Sequence, residues 1–247
     1  MSMKPQSKHR YVLTLAIIFA VLWIFLAINP SYPKDWALEN AMGLILVLTL
    51  IITYKRFRLS RLSYTLIFIF LCLHTIGAHY TYAEVPYNEW TEKLFGRSLN
   101  SIFGWERNHY DRLVHFSYGF LMAYPIREFF MRVADSKGFW GYFFPLDITM
   151  STSMLYELIE WGVALLVGGS LGMAYLGTQG DVWDAHKDMA LATLGAMIAM
   201  TVTMIINACM KRDFARDIAD SFHIKSGEPL GEEALARMWK ETHPDTP

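Results

Sequence analysis

Residues 11–28 read YVLTLAIIFAVLWIFLAI, an unbroken apolar run between a basic start (Lys4, Lys8, Arg10) and the break at Asn29-Pro30. A helix rises ~1.5 Å per residue, so a run of this length nearly covers the ~30 Å hydrocarbon core of a bilayer. A cleaved signal peptide has a shorter apolar region followed by a small-x-small site. Neither feature is found here, and the run reads as a retained first span.

Working outward, the chain repeats the pattern. Hydrophobic residues make up 53% and charged residues 18%, and the apolar residues come in blocks. Further spans are expected at residues 37–54, 62–80, 113–130, 142–167 and 184–210. The fold class is therefore all-α: a polytopic transmembrane helix bundle of about six spans occupying residues 1–210, with a polar cytoplasmic tail at 211–247. The fifth span is longer than a crossing needs, which predicts tilt. Asp147, Glu157 and Glu160 dilute its hydropathy, so a re-entrant pair is the alternative. Cys72 and Cys209 fall at different depths and are not expected to pair. A net charge of −1 gives no field that would draw nucleic acid. The partner is the lipid bilayer, and oligomeric state is left open.

Lysine and arginine set the orientation. One set of loops holds Lys4, Lys8 and Arg10, then Lys55, Arg56, Arg58 and Arg61, then Arg127, Arg132 and Lys137, then Lys211, Arg212 and Arg216. The other holds Lys34, then Lys93, Arg97, Arg107 and Arg112, then Lys187. The richer set is expected in the cytoplasm, with both termini, in a bacterial inner membrane. The outer loop 81–112 carries Tyr82, Tyr87, Trp90, Phe95, Phe103, Trp105 and Tyr110, rings suited to the headgroup layer, and is expected to lie at the membrane surface. In the tail, Leu235, Met238 and Trp239 share one short amphipathic face.

Ionisable residues inside membrane spans are costly and are usually paired, turned inward or functional. At ~1.5 Å per residue, they fall at one level. Glu39 and Asn40 open the second span, His74 and His79 lie in the outer half of the third, and Asp111 and His115 open the fourth. Glu157 and Glu160 lie high in the fifth, and Asp181, Asp184, His186 and Asp188 open the sixth. The inner halves hold almost none, Asp147 being the main exception. Spacing adds faces: Asp111/His115 at i,i+4, Glu157/Glu160 at i,i+3, and Asp181/Asp184/Asp188 as one stripe. His74 and His79 are i,i+5, a poor metal pair by themselves. For each group the bland reading is a helix cap, an interfacial histidine bonding a carbonyl, or a polar layer that locks the bundle.

Four runs carry a family resemblance: Glu39-Asn40, Asp111-Arg112-Leu113-Val114-His115-Phe116, Tyr156-Glu157-Leu158-Ile159-Glu160-Trp161, and the segment from Gln179 to Met189. Through them, over essentially its full length, the chain resembles the YjdF family of bacterial inner-membrane proteins. That resemblance implies location and topology, not chemistry. A more distant likeness is to VanZ-like membrane proteins, whose Asp-Lys-x-x-His-Phe helix start is similar to Asp111, Arg112, His115 and Phe116. Their later Asp-x-x-x-Asn-x-x-Gly fits Asp188 and Gly195, but Ala192 stands where that pattern has Asn. The likeness implies an envelope setting.

Three functions fit these residues. The first is an enzyme, a hydrolase or transferase acting on an amphipathic or lipid-linked envelope substrate. In it Asp111 orients His115 as base, Glu157 and Glu160 are acid or metal partners, and Asp184 and Asp188 hold a metal or orient substrate. A mixed His/carboxylate set suits Zn²⁺ or Mn²⁺, with His74, His79 and Asp181 as further candidate ligands to a divalent metal. The second is a proton or cation transporter, against which the polar residues stop halfway. The third is a structural or partner-binding membrane protein.

Overall fold

The computed structural model describes residues 5–169, 172, 176–210, 214–224 and 231–243. Long apolar stretches become α1 (Pro5–Leu26), α2 (Pro33–Thr53) and α3 (Arg61–His79); the surface loop holds α4 (Tyr87–Phe95) and α5 (Leu99–Phe103). Then follow α6 (Tyr110–Val133), α7 (Trp140–Val167) and α8 (Asp184–Met210), and the tail supplies α9 (Phe214–Asp220) and α10 (Glu232–Thr242). Among the described residues there is no strand. Helix boundaries follow local chemistry. Pro33 occupies the first turn of α2, where its missing N–H is no loss, and the Ser60 side chain caps α3 by accepting from Ser63 N at 3.1 Å.

Five helices, α1, α2, α3, α7 and α8, are long and apolar enough to cross a membrane. The sixth long helix, α6, has 24 residues, about 36 Å of rise. Its composition is less apolar because it carries Asp111, Arg112, His115, Arg127, Glu128 and Arg132. Its place explains this: α6 packs against α3, α7 and α8 at once, while α1 and α2 lean on α3. A central helix faces protein and has no need of an apolar circumference. It also runs antiparallel to α3 over nearly its full length. Tyr110 donates to the Leu73 carbonyl at one end, and at the other the Glu128 carboxylate accepts from Ser60 N (2.8 Å) and Ser63 Oγ (2.5 Å). The segment 142–167 lies within one continuous helix, α7, with Pro145 inside it, and is not a re-entrant pair.

The tightest seam is between α6 and α8. A Cβ at Gly119 would collide with the Ala192 carbonyl, and one at Gly195 with the Phe116 carbonyl. Small residues let two backbones approach where apolar solvent supplies no hydrophobic drive. Ala123, Ala196, Ala199 and Met200 continue the seam, with Tyr142 and Leu146 of α7 packed on it. The outward faces, such as Ile17, Val21 and Phe25 on α1 and Leu48 and Ile52 on α2, are apolar and exposed, as a lipid-facing surface should be.

The loop 81–112 is half folded inward. Tyr82, Val85 and Tyr87 are buried with Tyr110 and Val114, whereas Leu94, Phe95, Ile102 and Phe103 are exposed. At the opposite end the start of the tail docks onto α7: Phe139 N donates to Ser221 Oγ (3.1 Å), and Trp140 Nε1 to the Ser221 carbonyl (2.8 Å). The amphipathic face of α10 is exposed, and both cysteines are free.

Candidate functional site

The ends of α1 and α3 and the starts of α2, α6 and α8 meet at one end of the bundle, where Ser31 N bonds the His79 carbonyl (3.1 Å). This brings most of the polar residues together, but sorts them into three groups with different chemistry.

The first group is structural. The carbonyl of Glu39 can only accept, so His74 must donate to it from Nε2 (3.1 Å). That fixes the tautomer: Nδ1 carries the lone pair and accepts from the Tyr82 hydroxyl (2.6 Å). Both nitrogens of His74 are thereby committed to tying α3 to α2 and to the loop. His79 Nδ1 donates to the Leu26 carbonyl (2.7 Å), closing the last turn of α1. Asn40 accepts from Trp23 Nε1 (2.8 Å) and donates to the Trp36 carbonyl (2.7 Å).

The second group is an ion-pair network. Arg107 grips Asp184 with two nitrogens, at 2.6 and 3.1 Å, and Arg112 reaches the same carboxylate at 3.2 Å. Asp181, in the turn before α8, accepts from Arg112 (2.6 Å), Lys187 (2.5 Å) and Trp183 N (3.1 Å). The Lys187 ammonium and the Trp183 amide hold the Asp181 carboxyl low, at about 2. Arg107 comes from the loop, 77 residues from Asp184, and a contact that remote leaves no periodic signal in the sequence.

The third group has almost no cation. Asp111 and His115 start α6, Glu157 and Glu160 lie late in α7, and Asp188 is one turn into α8. His115 Nε2 stands 3.6 Å from Asp111 Oδ1 and 3.5 Å from Glu157 Oε1, so both acids face the same ring nitrogen. Donor atoms of Asp111, His115 and Asp188 lie within 4.8 Å of one another. Asp188 is 2% exposed, and its Oδ1, like Glu157 Oε1, is buried with no hydrogen-bond partner among the described residues. Tyr156 donates to Glu39 Oε2 (3.0 Å) and also interacts with Glu160, which it shares a helix face with. Tyr156, Tyr82 and Arg107 join these groups, although the sequence marks them only as part of a family run, a headgroup-layer ring and an outer-loop charge. Tyr156 at least was findable, standing i,i+4 from Glu160.

A cavity of about 270 Å³ opens beside this third group. Asp111, His115 and Tyr156 line it together with the polar Tyr118, Thr152 and Ser153 and the apolar Met42, Leu46, Phe70, Met122 and Ile159. A larger cleft, about 700 Å³ and almost wholly apolar, lies between α1, α2 and α3; Gly43 and His74 line both spaces.

Fold and site together define a polytopic α-helical membrane protein with a buried His/carboxylate cluster at one end of its bundle. The chain belongs to the family described as "Predicted membrane protein (DUF2238)", whose model matches residues 11–208. It is 35% identical, over 197 residues, to the inner membrane protein YjdF of Escherichia coli (strain K12), covering 79% of this chain and 88% of that one. No solved structure matches. This relationship agrees with a multi-pass protein of the bacterial inner membrane. The VanZ-like resemblance gains nothing from these matches. At the position where it departs, Ala192 is fully buried in the seam with Gly119.

Proposed function

We propose that this chain is a membrane-embedded hydrolase or transferase whose cluster faces the outer leaflet and acts on the polar head of an amphipathic, lipid-linked substrate. The observation that carries the reading is the cavity itself, where Asp111 and His115, with the hydroxyl-bearing Tyr118, Thr152 and Ser153, share the lining with Met42, Leu46, Phe70, Met122 and Ile159. A lining that mixes titratable and apolar groups suits an amphipathic ligand. Glu157 is the proton acceptor, because its unpartnered Oε1 is turned to the cluster centre, 3.5 Å from His115 Nε2. Glu160, held by Tyr156 beside Glu39, is the donor to the leaving group. Asp184, gripped by two arginines, is an anchor and leaves the chemistry to Asp188. The excess of Lys and Arg in the loops at the other end favours an outward-facing cluster, with both termini in the cytoplasm.

Transport is less well supported. A proton or cation path would have to continue to the far end, where Glu128 is already satisfied by Ser60, Ser63 and Arg132. The test uses a deletion strain complemented with Glu157→Gln. Gln keeps volume and hydrogen bonding but cannot take a proton. Normal membrane expression and detergent melting temperature with complete loss of complementation is the expected result. Full complementation by this variant overturns the catalytic reading in favour of a purely structural polar layer.

A further inference from the structure

We infer that Asp111, His115 and Asp188 form a binding site for one divalent transition-metal ion, Zn²⁺ or Mn²⁺, with its open side toward the cavity. The inference deepens the proposed function and rests on its choice of site, but it is read out by binding and not by activity.

Geometry is the first argument. Ligands about 2.1 Å from a tetrahedral ion stand about 3.4 Å apart along each edge. His115 Nε2 and Asp111 Oδ1 are 3.6 Å apart, too long for a hydrogen bond and close to such an edge. All three donors lie within 4.8 Å of one another, a spread that side-chain rotation would narrow to ligand distances.

Charge is the second. Carboxylates taken out of water need a partner, since an isolated buried charge costs several kcal/mol. Asp188 is buried with Oδ1 lacking a hydrogen-bond partner among the described residues and a carboxylate oxygen within 4.8 Å of donor atoms of Asp111 and His115, and Glu157 Oε1 also lacks a hydrogen-bond partner behind a side chain only 10% exposed. The nearby Arg107 and Arg112 direct terminal guanidinium nitrogens at Asp181 and Asp184, and among the described residues neither forms an ion pair with Asp111, Asp188 or Glu157. A dication supplies what the third group lacks.

Rigidity is the third. His115 lies four residues before Gly119, and Asp188 four before Ala192, so each ligand stands one turn from the point where the two backbones touch. A metal site needs that kind of fixed distance between its supporting helices. The donor set then selects the ion. An imidazole with two carboxylates suits Zn²⁺ or Mn²⁺ better than Ca²⁺ or Mg²⁺, which prefer oxygen alone. Three protein ligands leave one position open, and Asp111 and His115 both line the cavity onto which it would face.

The experiment uses the full chain in detergent, stripped with a chelator, dialysed and titrated calorimetrically with ZnCl₂ or MnCl₂, with bound metal counted by mass spectrometry. One equivalent of Zn²⁺ or Mn²⁺ should bind and raise the melting temperature. Asp188→Asn and His115→Gln should each weaken binding at least tenfold, while Asp181→Asn, in the arginine network, should leave it unchanged. Should Asp188→Asn fail to yield folded protein, Asp111→Asn makes the same comparison. Absence of stoichiometric binding, a preference for Ca²⁺, or binding undiminished in the ligand variants overturns the inference. Metal bound with Glu157→Gln fully active sinks the enzyme reading alone; no metal with Glu157→Gln inactive sinks the metal site alone.

Discussion

Asp184 and Asp188 stand one turn apart on α8, both almost fully buried, yet their surroundings divide them. Asp184 meets two guanidinium groups, and Asp188 meets an imidazole and another acid. A stripe of acids at i, i+3 and i+7 thus splits between anchoring and chemistry, according to which loop residue reaches it. Asp181 belongs to the anchor, and its titration is open to measurement. Its carboxyl sits at about 2 in the folded chain, against ~3.9 for an unperturbed aspartate. A depressed folded value means that folding favours the charged form. The contribution to stability is therefore complete above about pH 4 and is lost as pH falls toward 2. Comparing melting temperatures of the natural chain and Asp181→Asn in detergent, we expect a gap that is constant from neutral pH to pH 5 and narrows from pH 4 to pH 3. A gap that widens on acidification would contradict the assignment of Lys187 and the Trp183 amide as the groups that hold this carboxylate.

At the scale of elements, the seam between α6 and α8 governs how far His115 stands from Asp188. Gly119→Val inserts a branched side chain where even a Cβ meets the Ala192 carbonyl. Overpacking of this kind costs about 1–3 kcal/mol. It should also spread the helices and abolish metal binding in the calorimetric assay, although no ligand has been touched. Gly162→Ala in α7 is the control, because nothing lies near the added carbon; it should leave binding unchanged and not lower stability, since alanine is the better helix former. The seam also shows what could be read in the chain beforehand. Apolar blocks announce α1, α2, α3, α7 and α8, since each shows a flank to lipid. Helix α6 is weaker in that signal because three other helices pack against it, yet its apolar residues from Leu113 to Phe130 still mark it as a span. The convergence of polar residues at one level followed from depth alone. Their partition did not, because it depends on Arg107 and Tyr82, which fold back from a loop with no period. Glu128 escaped notice for a related reason: near the end of α6 it looks like one more surface charge, whereas it caps α3 across the bundle.

For the whole molecule, the direction of insertion decides which compartment the cluster serves. The crossing status of α6 decides whether the charge rule can be applied consistently. If α6 were not a crossing, Asn100 before it and Arg132 after it would lie on the same side. The antiparallel pairing of α6 with α3, bonded at both ends, makes its span as long as that of α3. Reporter fusions after Lys55 and Arg132 should therefore report the cytoplasm, and fusions after Asn100 and Gly177 the outside. The charge bias works through short loops near the ends of spans, and Lys55, Arg56, Arg58, Arg127 and Arg132 are all placed where it acts. A cytoplasmic signal at Asn100 with an external one at Arg132 would invert the molecule, turning the cluster and its cavity toward cytoplasmic substrates. Matching signals at Asn100 and Arg132 would instead remove α6 from the crossings. The acids and imidazole at its start would then lie outside the bilayer plane that gives the cluster its low-dielectric setting. Only alternation at all four positions, beginning with the cytoplasm at Lys55, leaves the site open to an amphiphile of the outer leaflet.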